Sequence, residues 1–220
     1  MESPGQIFVA DKRTFEENNI YRRCLVFNQD NQPFGPLTTA NDEMIAAGGT
    51  VQIVVTYDVY FVLLPITGEV ILNHGGTTTH ADAGQAYVYF AQAGSTVELS
   101  NPYADHWINF LYLQIRAGYT SVYKCQPDFD FGQTRDQLID IFKDIKLPFA
   151  LHIGLFTGRG ETLYHTRSRN SRLFAFVVTG AFELQGRLLH ERDSLALWNL
   201  EEADMEALSN DAVMVMLEIY

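Results

Sequence analysis

Six histidines, His74, His80, His106, His152, His165 and His190, are the side chains best suited to hold a metal or move a proton near neutral pH. Their spacing forms no metal-ligand motif. His74 and His80 flank a Gly/Thr loop with Asp82; they could clip a surface metal, but a solvated loop is the better reading. His106, next to Trp107, reads as a turn residue. His152, His165 and His190 could make a site only if three strands brought them together. Arg167, Arg169 and Arg172 could grip a carboxylate or phosphate through paired guanidinium donors, although surface ion pairing in an acidic protein is preferred. There is no Ser-His-Asp arrangement, phosphate-binding loop or dinucleotide fingerprint; Gly158-Arg159-Gly160 is followed by no Lys-Ser/Thr and reads as a turn.

The elements that must position these residues are mostly strands. Val51, Ile53, Val55 and Tyr57 alternate with Gln52, Val54 and Thr56, the period of two that makes a strand over 50–57. Further strands are expected at 59–66, 69–72, 86–91, 96–100 and 108–115. After an irregular connector with Pro127, Tyr123, Phe129 and Phe131, the pattern predicts one short helix. Thr134 would cap it, with Gln137 at the capping-box position, and Leu138, Ile139, Ile141 and Phe142 would form its apolar stripe up to Pro148. Strands resume at 149–156, 162–165, 173–178, 182–184, 195–197, 205–208 and 213–219. Short strands broken by turns suit a sandwich or barrel.

The two β regions resemble each other in order. Gly68-Glu69-Val70-Ile71-Leu72 matches Gly180-Ala181-Phe182-Glu183-Leu184; Glu98-Leu99-Ser100-Asn101 matches Ala207-Leu208-Ser209-Asn210; Leu113-Gln114-Ile115 matches Leu217-Glu218-Ile219. A repeat of this size implies a duplicated domain, not a solenoid unit.

Composition narrows the function classes. The net charge of −12 repels phosphate backbones, so no nucleic-acid partner is expected. The longest apolar stretch, Val59 to Ile66, is strand-sized and contains Pro65, so no membrane span is expected. Cys24 and Cys125 form no metal pair or disulfide framework, and the first residues carry no basic, apolar leader. A cytoplasmic protein is expected.

Phe34-Gly35-Pro36-Leu37, then Asn41-Asp42-Glu43 and Gly48-Gly49, resembles the approach to the first barrel of the pirin and quercetinase-like cupins. Tyr123 to Phe131, Glu161-Thr162-Leu163-Tyr164-His165 and Val177-Val178-Thr179-Gly180 resemble the pirin linker and second barrel. The resemblance implies an all-β bicupin: two consecutive cupin β-barrels joined by a connector with one short helix. The expected bounds are 1–118 for the first barrel, 119–147 for the connector and 148–220 for the second barrel.

The family holds Fe or a similar divalent transition metal in its first barrel with imidazoles and a carboxylate. Laid on this chain, the ligand positions fall on Val54, Thr56, Val97 and Leu99, with the further Glu position on Tyr60. Val and Leu offer no lone pair, Thr is a poor neutral ligand, and no His precedes His74. In the second barrel the corresponding positions are Thr166, Ser168 and Arg172, again not ligands. The expectation is therefore no metal, no cofactor and no catalytic residue. Alternation alone turns 51, 53, 55, 57, 59 and 61 toward a core and the even positions toward water. The resemblance instead implies a cavity lined by Val54, Thr56, Asp58, Tyr60, Val97 and Leu99, open to a small polar ligand. The expected function is a metal-free binding module for a small molecule or protein partner. A cupin dioxygenase of quercetin 2,3-dioxygenase type with an atypical site, and a homo-oligomeric scaffold, are the alternatives.

Overall fold

The computed structural model describes residues 4–118, 124–143 and 145–220; Met1 to Ser3, Tyr119 to Tyr123 and Asp144 lie outside the described residues. The chain divides into two compact units, Thr14–Phe129 and a discontinuous unit formed by Met1–Arg13 with Asp130–Tyr220.

In the Thr14–Phe129 unit, one sheet of seven strands runs in the order Lys124–Cys125, Tyr87–Ala91, Val59–Thr67, Ile108–Arg116, Leu37–Ile45, Tyr21–Leu25 and Thr14–Glu17. A second sheet of four has the order Thr50–Val54, Thr96–Ser100, Val70–His74 and Thr77–Ala81. Side chains alternate across each pleat, so each sheet gives one row to a shared core. Val51, Ile53, Leu72, Val97 and Leu99 from the smaller sheet pack with Phe61, Leu63, Tyr89, Phe110 and Tyr112 from the larger. Outside, Gln52 and Asn73 donate to the carboxylate of Glu98 on the strand between them.

The other unit repeats this plan. Its larger sheet has the order Gly5–Phe8, Ser194–Trp198, Arg172–Thr179, Ala212–Ile219, Phe149–Phe156 and Ile139–Asp140, and its smaller sheet Glu161–His165, Glu202–Ala207, Phe182–Leu184 and Arg187–Leu189. Strand for strand, the small sheets match, as do the four strands nearest the Lys124–Cys125 and Gly5–Phe8 edges once those edges are set aside. The three sequence matches fall on equivalent strands, as duplication requires. Phe156, Leu173, Leu195, Met205, Met214 and Met216 build the second core.

Three expectations change. The unit boundaries differ from 1–118 and 148–220, because Gly5–Phe8 pairs antiparallel with Ser194–Trp198 and the following segment is held there too. The amide of Ala10 donates to Asp193, and buried Arg13 donates to Ser194 and the Arg192 carbonyl. The connector helix is absent: among the described residues the only helical segment is the 3-10 turn Ala10–Lys12. Asp136 takes a positive φ of 60°, which breaks a right-handed helix. Backbone groups over 136–141 bond to the neighbouring strand instead, through Asp136 N to Leu155 O, Ile141 N to Leu151 O and the Ile139–Asp140 pairing. The strand expected over 50–57 stops at Val54, and 55–58 turns the chain back into Val59–Thr67.

No helix among the described residues is long and apolar enough to cross a membrane.

Candidate functional site

Strand alternation, as read from the sequence alone, decides where the expected cavity residues go. Val51, Ile53 and Val55 enter the core, and alternation restarts inward at Val59 and Phe61. Val54 is therefore 67% exposed, and Thr56 and Asp58 are exposed on the turn. Asp58 stabilises that turn, its carboxylate accepting the Ala93 amide at 2.8 Å. Val97 and Leu99 do point into the barrel, opposite Ile53 and Val51, where both are fully buried in apolar contacts. Tyr60 is buried but stands on the other side of its strand from Phe61, edge-on to Phe90. The six expected residues thus do not share one cavity.

These residues do not fit the metal of the family. Val97 and Leu99 have no donor atom, while Val54 and Thr56 face away from the core they were expected to line. Among the described residues no group of three or more His, Cys, Asp or Glu is placed to hold a metal ion.

The cavity of this barrel lies elsewhere and has a volume of about 770 Å³. Its walls include Leu72 and His74 on one strand, Tyr87 and Tyr89 on another, with Ser95 and Lys124 nearby. Gly75 and Gly76 have φ of 57° and 78°, the left-handed pair that a two-residue hairpin needs. That turn sets His74 opposite Thr77 at the end of its strand. His80 falls opposite Ile71 and pairs with Glu69, so the two loop histidines do not converge.

Tyr89 is the centre of an aromatic cluster. Its ring lies 4.6 Å from His74 and 5.4 Å from both Tyr87 and Phe61. Phe61 in turn stacks on Tyr112 at 5.4 Å with planes 5° apart. The Tyr89 hydroxyl is buried and has no hydrogen-bond partner among the described residues. Burial, with Tyr87 adding to it, pushes the phenol well above its ordinary range, so it remains a donor at neutral pH. A buried unpaired hydroxyl costs free energy that a ligand acceptor would recover. The arrangement suits a planar molecule held by ring contacts with one polar group at Tyr89.

The alternating Tyr87-Val88-Tyr89 sequence was the available signal: two large phenols on one face of a strand. It did not show that one hydroxyl lacks a partner.

A buried polar network lies on the core-facing side of the larger sheet, where Asn41 and Glu43 stand opposite Tyr112 and Phe110. Glu43, fully buried, accepts from Arg23 through both oxygens at 2.9 and 2.8 Å. Asn41 donates to the Tyr112 hydroxyl at 2.7 Å, and on the opposite face of the sheet Asn109 donates to Asp42 at 2.7 Å. The Asn41-Asp42-Glu43 motif is thus occupied in structural bonds.

In the other unit, His152 meets Tyr164 edge-on at 5.0 Å, whereas His165 and His190 are exposed, so these three histidines do not form a site. Arg167 lies over the Tyr220 ring at 4.2 Å. Arg169 and Arg172 are exposed, and Arg172 begins the strand paired with Trp198. His106 bonds to Asp105 and stacks near Tyr103, consistent with its turn position.

Comparison with known proteins bears out the resemblance read from the sequence. Residues 134–218 match the quercetinase C-terminal cupin domain. The whole chain has the bicupin fold of pirin structures. It is similar to YhhW from Escherichia coli, at 17% identity and a TM-score of 0.84, over 99% of this chain and 98% of that one. The same bacterial pirin in complex with nickel(II) matches at 16% identity and 0.81, over 98% and 99%. A quercetin 2,3-dioxygenase structure from Acinetobacter baumannii matches at 15% identity and 0.76, over 97% and 85%. No curated protein matches the sequence.

Proposed function

We propose that the Thr14–Phe129 barrel is a metal-free binding module for a small planar molecule with a hydrogen-bond acceptor. The observation that carries this reading is the unpaired Tyr89 hydroxyl in an aromatic cavity. Stacking partners recognise the body of the ligand and Tyr89 orients it, while His74 and Lys124 add polar contacts. No cofactor is needed for this role. The absence of a donor set at Val54, Thr56, Val97 and Leu99 supports a binding role over the family's oxygen chemistry. Cys24 and Cys125, which form no disulfide among the described residues, suit a reducing compartment such as the cytoplasm. The net charge favours a small-molecule partner over nucleic acid.

The quercetin 2,3-dioxygenase relative makes quercetin the first probe. Saturable quenching of intrinsic fluorescence by quercetin, weakened by Tyr89→Phe, is expected. Elemental analysis of untagged protein should find no stoichiometric transition metal. An oxygen electrode should record no uptake with quercetin after incubation with Fe(II) or Ni(II). Robust turnover, or one equivalent of metal held by first-barrel residues, would replace this reading with the dioxygenase.

A further inference from the structure

The second barrel has a cavity of its own, about 580 Å³, within the range of small-ligand sites. Its polar groups are sorted by sign. His152 lies opposite Met216, and Glu218 follows two residues later on the same face as that core methionine. Both therefore project toward the interior end of the cavity. Glu218 is buried and accepts the Tyr164 hydroxyl at 2.7 Å and the Arg167 amide at 2.6 Å. A carboxylate retains further lone pairs beyond those two bonds. His152 lines the same cavity, and its Nδ1 is buried with no partner among the described residues. Burial lowers the pKa of the ring despite the pull of Asp140, Glu218 and the Met216 backbone, keeping the imidazole neutral and able to accept.

The rim is opposite in character. Lys143, Lys146 and Arg167 line it, are exposed, and have no ion-pair partner among the described residues. In a chain of net charge −12, three cations gathered at one cavity mouth form a local anion-attracting field.

We propose that this second-barrel cavity binds a hydroxylated organic acid. The ligand's hydroxyl turns inward to His152 and Glu218, and its carboxylate stays at the rim with Lys143, Lys146 and Arg167. Phe149 and Tyr220 supply apolar walls for the carbon body. The site is separate from the first-barrel cavity and does not depend on what that cavity binds.

Calorimetric titration of the full chain with para-hydroxybenzoate tests this, with benzoate and phenol as probes that each lack one end. Para-hydroxybenzoate should bind at one saturable site, and each truncated probe should bind about tenfold more weakly or worse. His152→Phe should bring para-hydroxybenzoate to the level of benzoate, and Arg167→Gln toward that of phenol. Tyr89→Phe should change neither. In the unmodified chain, the NMR signal of the Arg167 amide should shift on addition of the probe, which keeps the test available if a variant does not fold. No binding, equal binding of all three probes, an unshifted Arg167 amide, or retention of affinity in both second-barrel variants would overturn the proposal.

Discussion

The guanidinium of Arg23 and the carboxylate of Glu43 face each other across neighbouring antiparallel strands, joined by two nearly equal hydrogen bonds of 2.9 and 2.8 Å. Glu43 is sealed from solvent while Arg23 reaches the surface, so the arginine carries the pair's only route to water. Burial pushes the Glu43 carboxyl above its ordinary range against the pull of Arg23.

Removing the guanidinium should therefore cost more than the pair contributes. Arg23→Met strands Glu43 and is expected to lower stability by about 3 kcal/mol or more. Adding Glu43→Leu to that variant should restore most of the loss. Denaturant unfolding of the two single variants and the double variant measures it. Equal losses in the single Arg23 variant and the double variant would contradict a buried, dependent carboxylate.

The inward and outward assignments of the first barrel separate in a second experiment. Leu99→Ala should cost about 2–5 kcal/mol, because it empties space shared with Val51 and Leu72. Val54→Ala, on an exposed side chain, should stay within about 0.5 kcal/mol. Comparable losses at both positions in urea unfolding would show that Val54 is packed after all.

Tyr89→Phe should bind less but be no less stable. The substitution removes a buried hydroxyl that has no described partner, so a gain of up to about 1 kcal/mol is expected. A fall in Tm would mean that the hydroxyl already has a structural partner.

His152 gives the chain a pH signature. Its folded-state pKa lies below the ordinary 6.5, chiefly through burial. As pH falls through that unfolded value, the unfolded chain takes up a proton that the folded chain resists, and stability present at higher pH is lost. Denaturant midpoints measured from about pH 8 to pH 5 should decline less steeply in His152→Phe than in the unmodified chain. Identical slopes would remove His152 from the explanation.

The sequence showed both the strands with one buried face and those buried on both. Val51 and Ile53 with Gln52 between them, or the unbroken run in Val59–Thr67, are written in periodicity that burial demands. Leu37–Ile45 was not recognisable as a strand. Asn41 and Glu43 look like solvent-facing residues, yet both are buried and satisfied by Tyr112 and Arg23 from neighbouring strands. The apolar stripe at 138–142 imitated a helix because Leu138, Ile139, Ile141 and Phe142 also suit a short edge strand followed by a turn. At the site, alternation alone placed 51, 53, 55, 59 and 61 inward, as the core has them, and missed only Tyr57, which the turn at 55–58 exposes; it was the register taken from the resemblance that put Val54, Thr56 and Asp58 inside. Tyr89 could be placed on a strand from sequence, but an unpaired hydroxyl is a property of every neighbour at once.

The Gly5–Phe8 strand makes the order of synthesis differ from the order of assembly. Its partner, Ser194–Trp198, is synthesised only after the whole Thr14–Phe129 unit, and the Ala10 to Asp193 bond joins residues 183 apart. The Thr14–Phe129 unit is continuous and can collapse as it emerges. The strand ahead of it must stay unpaired through that time, exposing Ile7 and the backbone groups of an open edge. A chain stalled before Ser194–Trp198 is made would carry a folded barrel beside an unpaired strand edge, the part of it that quality control acting during translation could bind.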